Sequence, residues 1–227
     1  MLEMLDERLE RVAGEVLCGA GLGGAVDAYD LCAAAGVRVV PGAASAFVGS
    51  RIYVNQDDPP ERQRFAIARE LSRVILRERG IEQTEHAAGY LASALLHPRA
   101  EFRARLRSCA WDLAALRVDY PFSSYEALGR RAVNLQRAVL WVCDRGPRGR
   151  KSRRTCSRGT PASVDAAPTR IEREIVRAAA TSLTPCRAVG IGAWPLATGN
   201  HLRVLSLARA SALVASPRLA CPSRSPA

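Results

Sequence analysis

Arg64-Phe65-Ala66-Ile67-Ala68-Arg69-Glu70-Leu71-Ser72-Arg73 is the stretch on which the reading of this chain turns. At ~100° per residue, Ile67, Ala68, Leu71, Val74 and Ile75 fall on one side of a helix, and Arg62, Arg69, Arg73 and Arg77 share an opposing arc. Asp57-Asp58-Pro59-Pro60 reads as the start signal. Proline lacks only a donor that the first turn leaves unused, and the acids suit the positive end of a helix. Glu70 borders the arginine arc and can pair with Arg73 one turn on, a contact worth ~0.2–0.5 kcal/mol on an exposed helix. Like charges stacked one turn apart repel. The arc is therefore either a solvated basic face or a surface that meets an anion or an acidic partner segment.

Upstream, Leu5, Leu9, Val12, Val16 and Leu17 recur at helical intervals over residues 2–17, and the glycines from Gly19 to Gly24 end that helix. Gly19-x-Gly21-x-Gly23-Gly24 follows no strand, so it lacks the setting of a dinucleotide loop. Val26 to Ala35, with Asp27 near its start and Gly36 at its end, is predicted as a short capped helix. Val37 to Pro41, the pieces around Phe47-Val48, and Arg51 to Asn55 then complete a small antiparallel sheet. Downstream, Glu85-His86-Ala87-Ala88-Gly89-Tyr90-Leu91-Ala92-Ser93-Ala94-Leu95-Leu96-His97-Pro98 is a second helix closed by proline.

The order and spacing of these pieces resemble the ImmA/IrrE family of metallo-endopeptidases. The family's active helix commonly reads R-F-x-x-A-H-E-x-x-H. Here the same frame carries Arg69-Glu70-x-x-Arg73. The Glu85–Pro98 segment is similar to the family's second helix, E-x-E-A-x-x-F-A-x-x-L-L-x-P, which supplies the third metal ligand. Glu85 matches its first acid, and Ala87 stands at its second. The resemblance covers about the first 145 residues and implies an α+β fold: a minimal zincin-like domain in which a small antiparallel sheet packs on an active helix and a ligand helix. It also implies zinc, with Glu70 at the general-base position and Arg69, Arg73 and Glu85 at ligand positions. A guanidinium keeps its proton and offers no lone pair, so Arg69 and Arg73 cannot ligate that ion. The expectation is a degenerate member that has lost its metal, needs no cofactor and has a vestigial Glu70. The remaining histidines, His86, His97 and His201, have no zincin spacing and are read as surface or helix-end residues.

Residues 99–137 are predicted as three helical pieces laid out like a helix-turn-helix, with Asp119-Tyr120-Pro121-Phe122-Ser123 between the last two. The same layout serves helices that merely pack, for which Leu113, Leu116, Leu128, Val133 and Leu135 supply a core. Residues 138–215 read as a small α/β region. It has a strand from Ala138 to Gly146, a helix from Ile171 to Ala180 capped by Thr169, strands over 188–196 and 201–207, and a short helix over 208–215. Residues 216–227, rich in Pro, Ser and Arg, are expected to be a disordered tail. The expected domains are thus 1–98, 99–137, 138–215 and 216–227.

With 227 residues and 48% apolar side chains the chain can bury a sizeable core. Its first residues carry charge, and no run approaches the ~20 apolar residues of a membrane span, so a cytoplasmic location without membrane contact is expected. Seven cysteines without a Cys-x-x-Cys pair read as reduced thiols. The net charge of +11 is all C-terminal: residues 1–144 hold 18 basic and 19 acidic side chains, residues 145–227 hold 15 and 3. The run from Arg145 to Arg158 contains no acid and could meet nucleic acid, but it has no aromatic residue for stacking, and arginine outnumbers lysine 32 to 1 along the whole chain. The expected function is therefore a silent pseudo-metallopeptidase that binds a protein, such as a helix-turn-helix regulator that active relatives would cut. Two alternatives stay open: an active zinc endopeptidase acting on a repressor, and a basic nucleic-acid-binding protein.

Overall fold

The computed structural model describes residues 2–146, 149–157, 167–188, 190–198 and 201–214. The chain forms two compact units, Met1–Leu135 and Gln136–Ala227. The first holds α1 (Leu2–Ala20), α2 (Ala28–Ala34), β1 (Arg38–Gly42), β2 (Ala46–Val48), β3 (Arg51–Asn55), α3 (Pro60–Glu78), α4 (Glu85–Leu96), α5 (Arg99–Ser108), α6 (Leu113–Asp119) and α7 (Tyr125–Leu135). The three helices expected as a separate region thus lie in the same unit as the small sheet.

That sheet is mixed rather than antiparallel. Its order is β1-β3-β2, with β2 antiparallel and β1 parallel to β3. The chain reverses twice between β1 and β3, which restores its direction, and β3 then inserts between the other two. Its composition suits the centre: Ile52 and Val54 are buried, while Pro41 of β1 lacks an amide and belongs on an edge.

Apolar faces of α1, α3 and α4 build the core below this sheet, from Leu9, Val12 and Leu17, from Ile67, Leu71 and Leu76, and from Leu91 and Leu95. The predicted stripe on α3 is buried at Ile67, Ala68, Leu71 and Ile75, with Val74 only half-buried. Asp27 caps α2 by accepting from the Tyr29 amide. α3 stops at Gly80, whose φ of +59° only glycine adopts cheaply, and the Ile81 amide closes back onto the Leu76 carbonyl at 2.8 Å.

One polar network crosses this core. The Arg131 guanidinium on α7 is fully buried. It donates to both Glu10 carboxylate oxygens, at 2.6 and 3.1 Å, and through Nε to the His97 carbonyl at 3.0 Å. The Tyr90 hydroxyl donates to the same carboxylate at 2.9 Å. His97 is not a surface residue, as its helix-end position led one to expect, because the α4 terminus is roofed by Phe102 and Tyr120, whose rings lie 5.6 and 5.5 Å from the imidazole. A carbonyl only accepts, so Nδ1 carries the proton given to the Ser93 carbonyl at 3.0 Å, and Nε2 accepts from the Ser123 hydroxyl at 2.6 Å.

The second unit holds β4 (Ala138–Gly146), β5 (Gly149–Cys156), α8 (Arg170–Ser182), β6 (Cys186–Ala188), β7 (Ile191–Thr198), β8 (His201–Arg209) and α9 (Ala210–Val214). Its strands form a fully antiparallel sheet in the order β5-β4-β8-β7-β6. Thr169 caps α8, and Glu172 returns the bond to the Thr169 amide in a reciprocal capping box. Ile175, Val176 and Ala179 of α8 pack on Val139, Trp141, Cys143 and Val204 of the sheet. The basic run, to which the sequence assigns no strand beyond Gly146, contains β5. Arg154 donates to both oxygens of the fully buried Glu172, at 2.9 and 3.1 Å, and Arg153 donates to Asp144 at 3.2 Å. The expected tail over 216–227 lies outside the described residues.

Removing one partner of a buried ion pair strands the other charge, so Glu10→Gln or Arg131→Met alone should lower the unfolding free energy by about 3–5 kcal/mol. The double variant Glu10→Leu/Arg131→Met should recover most of that loss, as denaturant titration of all three would show. Burial, reinforced by the Arg131 charge, pushes the His97 pKa from 6.5 down to about 3. As pH falls the unfolded chain therefore takes up this proton first. The stability tied to neutral His97 is complete above pH 6.5 and declines between there and 3. Thermal unfolding of the wild type against His97→Gln should show a shallower acid decline in the variant.

Candidate functional site

Two helices bring four side chains together. α3 supplies Arg69, Glu70 and Arg73, and α4 supplies Glu85 from its first turn, whose start is fixed by the Thr84 hydroxyl accepting from the Ala87 amide at 3.1 Å. Arg73 Nη1 donates to Glu70 Oε1 at 2.9 Å, and its other terminal nitrogen pairs with Glu85 Oε1. Arg69 Nη1 lies 3.6 Å from Glu85 Oε2, and its Nε lies 4.0 Å from Glu70 Oε1. Each carboxylate thus meets both guanidinium groups, and the cluster carries no net charge. Its two acids differ in setting: the Glu70 side chain is 4% exposed, that of Glu85 72%. Arg69 Nε is buried without a hydrogen-bond partner, an energetic cost within the cluster.

The other two members of the predicted basic arc stand apart. Arg62 is exposed and pairs with Asp58 at 3.4 Å, and Arg77 is exposed on the last turn of α3. Three of the four arginines of the arc are therefore engaged in ion pairs, two of them within the cluster. The histidines do not meet either. His86 faces Asp6 at 3.0 Å, His97 is enclosed at the opposite end of α4, and His201 is an exposed residue of the second unit.

These residues do not fit the zinc that the resemblance implies. Arg69 and Arg73 have no lone pair to give, Ala87 has no donor atom and is buried, and the two carboxylates left are occupied by guanidinium groups. Among the described residues no group of three or more His, Cys, Asp or Glu side chains is placed to hold a metal ion.

Sequence reading missed the clamps around this pair of helices. Arg64 donates through Nε to Asp27 at 3.1 Å and lies over the rings of Phe122 and Tyr29, at 4.7 and 5.5 Å. Glu61 accepts from Arg117 of α6 at 2.7 Å. The helical pieces expected on either side of the Asp119–Ser123 turn are α6 and α7; Arg131 is turned inward, and outside it Arg130 pairs with Glu126 at 3.0 Å. A signal was available for Arg131. It sits at helical spacing among Leu128, Ala132 and Leu135, where a lone cation implies a buried acid.

Residues 33–132 match the IrrE N-terminal-like domain, and that stretch of the chain is such a domain. No curated protein matches in sequence. Among solved structures, a Mycobacterium tuberculosis transcriptional regulator superposes with a TM-score of 0.61 at 18% identity, over 91% of this chain and 76% of its own. At that identity the likeness is one of fold. Among the described residues no helix is long and apolar enough to cross a membrane.

Because Glu85 is solvated, Glu85→Gln should cost no more than about 1 kcal/mol of stability. Arg73→Gln weakens the neutralisation of the nearly enclosed Glu70 and should cost about 1–3 kcal/mol. Paired denaturation curves would check the order of the two effects.

Proposed function

We propose that this chain is a silent relative of the IrrE-type metallo-endopeptidases that acts by binding a protein partner, with a transcription regulator as the first candidate. The observation that carries the reading is the closed cluster of Arg69 and Arg73 on Glu70 and Glu85. A zincin uses its dication to polarise the scissile carbonyl and to acidify a water molecule. Here two fixed cations stand on the same helix, and their charge is already balanced by the carboxylates. They can supply neither an open coordination position nor an acidified water. Glu70, as general base, would have to act while paired to Arg73 and without an activated water beside it. What such a groove keeps is recognition without turnover.

That the structural neighbour is a transcriptional regulator supports a setting in transcription control. Contact with nucleic acid is the weaker proposal, because Arg153 and Arg154 are already engaged by Asp144 and Glu172. A phosphate backbone would compete with those acids.

Zinc analysis of the purified full chain, followed by incubation with a candidate helix-turn-helix regulator, tests the reading. The expected result is sub-stoichiometric zinc and a bound, uncut regulator. Stoichiometric metal, with cleavage abolished by a chelator, would overturn it. The variant Arg69→His/Arg73→His should gain measurable zinc affinity by calorimetry, with Glu85 as a third donor. A folded variant with none would show that the groove does not retain the geometry of a zincin site.

A further inference from the structure

α8 covers its sheet unevenly. Along β4 the residues Val139, Trp141 and Cys143 pack under the helix and are buried, whereas Arg145, the next residue on that face, is exposed. The seal therefore ends at Cys143. Beyond it lies a cavity of about 400 Å³ within the second unit, walled by Cys143, Val176, Leu202 and Val204. That volume falls in the range of about 300–1,000 Å³ typical of small-molecule sites.

The charge around this cavity is one-sided. Arg145 enters from β4, and Arg173 and Arg177 enter from α8. The lining contains one acid, Asp144, and it is taken: Arg203 donates to its two oxygens at 2.6 and 3.2 Å, and Arg153 donates at 3.2 Å. Those bonds hold its carboxyl below the usual range. Arg173 gives one donor to a neutral carbonyl, that of Pro168, at 2.6 Å, which leaves its charge unbalanced. Neither Arg145 nor Arg177 has an ion-pair partner among the described residues. Cations gathered at the mouth of an apolar cavity repel one another until an anion joins them, and the described residues supply none.

We propose that this cavity binds a small organic acid, its apolar body against Val176, Leu202 and Val204 and its carboxylate among Arg145, Arg173 and Arg177. The apolar walls exclude a bare inorganic anion as the best fit, and the single rim of cations selects acids over alcohols and amines. Such a ligand would join α8 to β4 and β8 and so tighten the second unit.

Calorimetric titration of the full chain with octanoate, 1-octanol and octylammonium tests this. Octanoate should bind saturably, one per chain, at least about tenfold more tightly than 1-octanol, and octylammonium should not bind. In Arg145→Gln/Arg177→Gln, which alters only exposed side chains and should keep its circular dichroism spectrum, octanoate should fall to the level of 1-octanol. Equal affinity for octanoate and 1-octanol in the wild type, undiminished octanoate binding in the folded variant, or no saturable octanoate binding at all would each overturn the proposal.

Discussion

A guanidinium with no exposed surface, locked to a carboxylate on a helix more than a hundred residues away, is the constraint from which the first unit is built. Arg131 and Glu10 join the last helix of that unit to the first, and the third bond of the guanidinium, to the His97 carbonyl, fixes the end of α4 between them. Charges removed from water are tolerable only when every donor and acceptor is met, so the pair admits one arrangement of α1, α4 and α7. α4 in turn sets the position of Glu85. Specificity at the surface cluster thus begins with a bond in the interior.

The cluster itself inverts the logic of the site it resembles. A metal centre holds its positive charge as a removable ion, shared among neutral nitrogens and a carboxylate. Arg69 and Arg73 hold theirs covalently, and Glu85 of α4 meets both of them across helices whose approach is set by their buried apolar faces. A change of Arg69 and Arg73 to neutral residues would leave Glu70 enclosed without a counter-charge.

Much of this was legible beforehand, for physical reasons that differ by element. α3 could be read because its apolar spacing, its prolines and its leading acids agree. α8 could be read because Thr169 and Glu172 form a local box. The Arg73–Glu70 contact follows from helical geometry alone. The parallel pairing of β1 with β3 was hidden, since a strand's spacing does not state its neighbour, and two short reversals look alike whichever side the third strand enters. β5 was hidden by its charge. Its arginines satisfy acids on β4 and α8, which are distant in sequence, so the alternation that marks an ordinary half-buried strand is masked by cations on both faces. The enclosure of His97 depends on rings from α5 and from the residue that ends α6, which no local pattern reveals.

The placing of β5 has a further result. Among the described residues it is the outer strand of the five-stranded sheet, the position at which a sheet is prone to add another chain. The opposite border, β6, is only three residues long, too brief to template such growth. On β5 the protection is chemical: Lys151 stands exposed along it, so two copies approaching border to border would set like charge against like. The charge that could be read as a feature for polyanions thus lies along the border of the chain's own sheet, where it opposes edge-to-edge pairing.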